Sequence, residues 1–222
     1  MARIVAIDTT GEFGSIALLD ETKVVEEILL HSPDGFGHIL FPRLQQLLEA
    51  HGWNIAEIDC FAAAAGPGSF TGVRVGLAAM KGLAEAASKP VVAASNLQAL
   101  AVFGTAQLRA VLADARRGQI YGAVYDNELR LIQEEIVSAF PDWLLTLPEG
   151  DLEFIATDFA PFQPALTGTR FATTPVRQAP RALAAAIGQI AHALYRRGEA
   201  LDPATIDANY VRRSDAELFW KE

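Results

Sequence analysis

Cysteine is nearly absent from the chain. Its 222 residues include one, Cys60, so no disulfide can form within the chain. The histidines stand at His31, His38, His51 and His192, none three or four residues from another, and no Cys/His cluster has zinc spacing. Basic residues are also in short supply: 18 Lys and Arg face 27 Asp and Glu, a formal net charge of −9. A protein that grips nucleic acid alone needs a basic face to displace counterions from phosphates. The balance therefore argues against a stand-alone nucleic-acid binder and against an anionic membrane surface. No stretch of about 18 apolar residues exists to span a bilayer. The first apolar run, Ile4-Val5-Ala6-Ile7, stops at Asp8, too early for a secretory core. The expectation is a soluble protein of the reducing cytoplasm with no membrane partner. The rest is ordinary globular material: hydrophobic residues make up 51% and charged residues 20%, which excludes a disordered chain. The length allows one large domain or two small ones.

Residues 4–8 read as a buried strand and Thr9-Thr10-Gly11 as a turn. Strands are expected at 14–20 and 23–30 around an acidic turn at Asp20-Glu21-Thr22. The spacing of Leu40, Leu44, Leu47 and Leu48 predicts a helix over 37–51, ended by Gly52. A strand at 58–65, a glycine-rich turn, a helix over 72–87, a strand at 91–94 and a helix over 97–103 follow. That order is βββαβαβα. Near Gly104 it starts again, with strands at 109–114, 119–126 and 128–137, a short helix around Trp143, strands at 153–157 and 170–174, and an Ala-rich helix over 181–197. The repeat is one of element order, not of residues. It predicts two lobes, 1–104 and 105–222, each a mixed sheet with helices. This is the two-lobed α/β architecture of actin, hexokinase and Hsp70 (the ASKHA fold). In that architecture the first hairpin turn of each half touches phosphates.

Four features carry chemistry. Asp8-Thr9-Thr10-Gly11 ends the first strand, where an Asp in a kinase of this architecture orients a metal or water and the hydroxyls meet phosphate. A turn whose Asp and Thr satisfy only local N–H groups is the plainer reading. Gly66-Pro67-Gly68-Ser69-Phe70-Thr71-Gly72-Val73-Arg74-Val75-Gly76 turns sharply into a helix that Ser69 or Thr71 can cap. It has neither the Lys-Ser/Thr pair of a Walker loop nor the spacing of a dinucleotide fingerprint. The helix after it has a thin polar stripe: Arg74, Lys81 and Glu85 fall within about 40° of one another. Such a helix is buried in its own domain, or it covers its core with one side and a partner with the other. The helix over 37–51 shares the trait. Asp114-Ala115-Arg116-Arg117-Gly118-Gln119-Ile120-Tyr121 forms the first hairpin of the second half. It lacks a hydroxyl after the glycine and offers two arginines for an anion or a carboxylate. No nucleophile has an identifiable base.

Ile7-Asp8-Thr9-Thr10, the run from Gly66 to Gly76, the hairpin from Asp114 to Tyr121, and Tyr210-Val211-Arg212-Arg213-Ser214-Asp215-Ala216-Glu217 closely resemble the bacterial TsaB (YeaZ) family. Those proteins are the non-catalytic partners in making N6-threonylcarbamoyladenosine on tRNA. The resemblance implies the two-lobed fold and no catalysis by this chain. The catalytic relative, TsaD, carries a metal-binding histidine pair and a full nucleotide site, and no such pair is present here. It also implies pairing with TsaD through two helices of the first half, homodimers through the same surface, and a complex joined by the ATPase TsaE. The modified base is A37, and tRNA is met only through the complex.

Leu40, Leu44, Leu47, Val75, Gly76 and Ala79 are the expected partner-binding residues. Asp8, Thr9, Thr10, Ser69, Thr71 and Arg116 are the expected nucleotide or anion contacts. No cofactor is required by this chain alone, and ATP or ADP belongs to interfaces of the complex. Two rivals stand beside this reading: a small phosphotransferase of the same architecture, and a homodimeric scaffold with another client.

Overall fold

A computed structural model describes residues 1–211. The chain opens with β1 (Arg3–Asp8), β2 (Phe13–Asp20) and β3 (Lys23–His31), followed by α1 (Leu40–Ala50), β4 (Cys60–Gly66), α2 (Phe70–Ala87), β5 (Val91–Ser95) and α3 (Asn96–Ala101). The order repeats as β6 (Leu108–Asp114), β7 (Gln119–Asp126), β8 (Leu131–Ala139), α4 (Phe140–Leu144), β9 (Leu152–Ala156), β10 (Val176–Gln178) and α5 (Ala184–Arg196). The sheets run β3-β2-β1-β4-β5 and β8-β7-β6-β9-β10, so they share one topology strand for strand. In both, the meander is antiparallel and the later strands are parallel. This is the actin/hexokinase/Hsp70-like α/β fold. Where the first half has α2, the second has only a short 3-10 helix at Gln163–Leu166.

Ile4, Val5, Ala6 and Ile7 are all fully buried, because the first sheet is covered on both faces. Val5 and Ile7 join Leu40 and Leu44 of α1 and Val73, Leu77 and Met80 of α2 in one core. On the other face, Gly188 of α5 lies hard against Leu19. The second core is aromatic. Phe140 meets Phe154 and Phe159 edge-on at 6.0 and 5.8 Å, around a fully buried Trp143.

Two expectations need correction. The first helix starts at Leu40, not at 37, because Pro42 lacks an N–H and is tolerated only in a first turn. The strand expected at 170–174 is a turn. Thr169 donates its hydroxyl to the Leu166 carbonyl at 2.8 Å and accepts the Phe171 N–H at 3.1 Å, a local alternative to a ladder. The strand comes later, at Val176–Gln178, and pairs in parallel with β9.

The two compact units are not two successive stretches of the chain. One compact unit joins Met1–Asn96 with Arg181–Asn209, and the other contains Leu97–Pro180. The cause is the start of α5, whose N-cap residue Leu183 makes no side-chain cap. Ser15 Oγ of β2 accepts the N–H groups of Leu183 and Ala184 at 3.1 and 2.9 Å. Glu27 of β3 accepts that of Ala185 at 2.8 Å. The first hairpin thus caps the last helix. Of the Tyr210–Glu217 motif, residues 212–217 lie outside the described residues.

Candidate functional site

The end of β1 and the first two residues of the turn after it are sealed, while Gly11 and Glu12 are exposed. Asp8, Thr9 and Thr10 are 3%, 1% and 6% exposed. Asp8 Oδ1 accepts the Thr10 N–H at 2.8 Å and the Thr10 hydroxyl at 2.7 Å. The Thr9 hydroxyl donates to the Gly72 carbonyl at 2.7 Å. Ser69 N–H donates to the Thr10 carbonyl at 2.7 Å, and Ser69 Oγ caps α2 by accepting the Gly72 N–H at 3.3 Å. The β1 turn and the start of α2 therefore lie in direct contact. Glycine is what permits this: a Cβ on Gly72 would overlap the Thr9 carbonyl, and one on Gly76 would stand 2.6 Å from Thr9 Oγ1.

Sequence reasoning missed Asn96 at this site. Buried at the end of β5, it donates to Thr10 Oγ1 at 2.6 Å and to Asp8 Oδ1 at 3.3 Å, and its own Oδ1 accepts the Gly66 N–H at 3.0 Å. Glu27 was missed as well. Its one sequence signal is an acidic residue inside a strand, next to a second one at Glu26. Burial pushes the Asp8 carboxyl above the usual range, against the bonds from Thr10 and Asn96. Burial raises Glu27 too, opposed by the N–H groups of Ala185 and Ala184 and reinforced by the Asp8 charge.

These groups do not fit a phosphate. The hydroxyls of Thr9 and Thr10 and the N–H groups of Ser69 and Gly72 are already paired within the chain. The N–H groups opening α5 are taken by Ser15 and Glu27. Two nearby carboxylates repel an anion rather than attract one. Thr71 is exposed on the first turn of α2. No group of three or more His, Cys, Asp or Glu side chains among the described residues could hold a metal ion.

Arg116 lies in the other unit, on the exposed hairpin between β6 and β7. Its N–H donates to Asp114 Oδ1 at 2.8 Å. Arg116, Arg117 and Gly118 all have left-handed backbone, with φ of 64°, 56° and 74°. A cleft of about 400 Å³ opens beside this hairpin, lined by Asp114, Gly118, Phe140, Asp158 and Phe162 among others.

The expected partner residues lie mostly on inward sides of their helices. Leu40, Leu44 and Leu47 are only 1%, 2% and 4% exposed, and they pack into their own core. Ala79 is buried, Gly76 faces Thr9, and Val75 is half-buried against the same core. The leucine periodicity marked the inward stripe, which is what helical spacing records. The outward side of α1 instead carries Phe41, which is 49% exposed, with Pro42 and Gln45. That of α2 carries Arg74, Ala78, Gly82 and Glu85. Arg74 lies over the Phe70 ring at 3.6 Å.

Residues 35–192 match a family model described as TsaD, tRNA N6-adenosine threonylcarbamoyltransferase. The tRNA threonylcarbamoyladenosine biosynthesis protein TsaB of Bacillus subtilis is 30% identical over 230 residues, covering 99% of this chain and 98% of that protein. TsaB of Escherichia coli is 36% identical over 131 residues, 57% of this chain and 56% of its own length. The solved structure of YeaZ from Pseudomonas aeruginosa has a TM-score of 0.76 at 27% identity, covering 95% of this chain and 100% of that one. Fold, turn and sequence agree: the chain belongs to the TsaB family of tRNA threonylcarbamoyladenosine biosynthesis proteins, within the wider threonylcarbamoyltransferase family.

Proposed function

We propose that this chain is the non-catalytic subunit that holds the threonylcarbamoyltransferase TsaD in its active arrangement, together with the ATPase TsaE, while A37 of tRNA is modified. Family membership supplies the pathway. The observation that carries the non-catalytic reading is the β1 turn, whose phosphate-binding groups are spent inside the chain. ATP or ADP in the complex then belongs to its interfaces and not to this turn. The net charge of −9 suits a subunit that leaves tRNA to its partners.

The partner lies along the outward side of α1 and α2. A Cβ added at Gly82 meets nothing within 4 Å, and with Ala78 it leaves room for another helix to approach closely. Phe41 supplies the exposed aromatic anchor. A homodimer of the free protein uses the same strip.

The test is reconstitution of tRNA modification with and without this chain, alongside variants. Phe41→Glu and Ala78→Glu are expected to lose TsaD binding and modification while unfolding at the wild-type urea midpoint. Leu44→Glu, a charge placed in the core, is expected to unfold the protein, at a cost of about 4 kcal/mol. Equal modification without the chain overturns the proposal. ATP turnover by the chain alone, abolished in Asp8→Ala, favours the phosphotransferase. A stable dimer that ignores TsaD favours the scaffold with another client.

A further inference from the structure

We propose that Asp8, Thr10 and Asn96 form a latch that sets the pose of α2, and that Asp8 acts in it as a neutral-tolerant hydrogen-bond acceptor and not as a ligand for phosphate or metal. The inference rests on the reading above that α2 presents the partner face. Two separate segments converge on Asn96. Its Oδ1 holds the Gly66 N–H at 3.0 Å, at the end of β4 where the chain turns toward α2. Its Nδ2 reaches Thr10 Oγ1 at 2.6 Å and Asp8 Oδ1 at 3.3 Å, across from β5 to the end of β1. The Thr10 carbonyl then takes the N–H of Ser69, the N-cap of α2, at 2.7 Å. The Thr9 hydroxyl reaches the residue that closes the cap, donating to the Gly72 carbonyl at 2.7 Å. A continuous set of bonds thus runs from β5 through the β1 turn into the first turn of α2.

Every bond to Asp8 Oδ1 uses that oxygen as an acceptor: the Thr10 N–H, the Thr10 hydroxyl and the Asn96 amide. None requires the negative charge, and burial disfavours that charge. An asparagine offers the same acceptor in the same shape, whereas an alanine leaves three donors unpaired in a buried place. An aspartate that holds a metal or orients a phosphate fails as asparagine. A latch survives the change. These are positioning residues: they touch no partner and act through α2.

The experiment is hydrogen–deuterium exchange on the full chain alone, followed by TsaD affinity, for the wild type, Asp8→Asn, Asp8→Ala and Thr10→Val. In Asp8→Ala, amides of residues 69–76 are expected to exchange about ten- to a hundredfold faster, and TsaD binding to weaken about tenfold. Asp8→Asn is expected to match the wild type in both. Thr10→Val, which keeps the N–H and loses the hydroxyl, serves where Asp8→Ala does not fold, with Thr10→Ser restoring protection. Asp8→Asn behaving like Asp8→Ala overturns the latch, as does wild-type exchange in Asp8→Ala. Faster exchange with unchanged TsaD affinity overturns the positioning role. A wild-type chain that does not bind TsaD at all overturns the proposed function, while exchange still decides the latch.

Discussion

The two halves solve one turn in opposite ways. Residues 9–12 and 115–118 occupy the same place in their sheets, between the central strand and its antiparallel neighbour. Each turn opens with an aspartate that accepts the N–H of the second residue after it at 2.8 Å. In the first half a helix start presses onto the turn, and its hydroxyls are consumed in buried bonds. In the second half a 3-10 helix stands where α2 would be, and Asp114, Arg116, Arg117 and Gly118 are exposed. The same local motif is thus largely a buried joint in one half and largely an exposed surface element in the other. What differs is the element that follows the fourth strand.

Glycine substitution gives the largest expected contrast. Gly72→Ala places a methyl group into the Thr9 carbonyl, and the backbone there has no flexible neighbour to give way. The expected loss is about 3 kcal/mol or more in urea unfolding. Gly118→Ala meets nothing within 4 Å, and its φ of 74° is the only cost, about 1 kcal/mol. Equal losses at the two positions break the comparison.

Acidification separates the halves next. Burial raises Asp8 and Glu27 of the first unit. For Glu153 of the second unit, burial pushes upward, but the N–H groups of Ala106 and Thr105 and the Arg177 guanidinium outweigh it and leave the carboxyl lowered. A raised group contributes stability that is fully present below its unfolded pKa and is lost as pH rises through its folded one. A lowered group contributes stability above its unfolded pKa that is lost as pH falls through its folded one. Acidifying from about pH 7 to pH 5 is therefore expected to favour the first unit and to leave the Glu153 contribution intact. The measurement is a difference between two proteins. The urea midpoint of the wild type is expected to gain more on acidification than that of Asp8→Asn. Identical pH profiles for the two proteins remove Asp8 from the account.

The sequence made the architecture legible because apolar runs and turn residues record local structure directly, and they do so twice. Periodicity alone does not say what a helix side meets. Leu40, Leu44 and Leu47 follow helical spacing whether they face a core or a partner, and the core claimed them. Phe41, one position away, carried no periodic signal. The return of α5 to the first sheet depends on Ser15 and Glu27, which lie 169 and 158 residues away from the N–H groups they cap at Ala184 and Ala185. No local pattern encodes that. Asn96 was hidden for the same reason: its partners Asp8, Thr10 and Gly66 become neighbours only once β1, β4 and β5 pair.

The smallest effect is also the sharpest test of the open turn. Two consecutive arginines with φ of 64° and 56° hold a conformation that costs a residue with a Cβ about 1 kcal/mol each. In the sealed turn no such strain is found: Thr9 and Thr10 do not adopt positive φ. If the second hairpin only closes a loop, Arg116→Gly and Arg117→Gly should each stabilise the protein by about 0.5–1 kcal/mol, read as a higher urea midpoint. The same substitutions remove two cations from an exposed tip, so a side-chain role shows itself as a loss of TsaD-dependent tRNA modification despite the gain in stability. A gain with unchanged modification makes the open turn a plain connection, and a loss of stability means that the arginine side chains hold the hairpin by contacts stronger than its backbone strain.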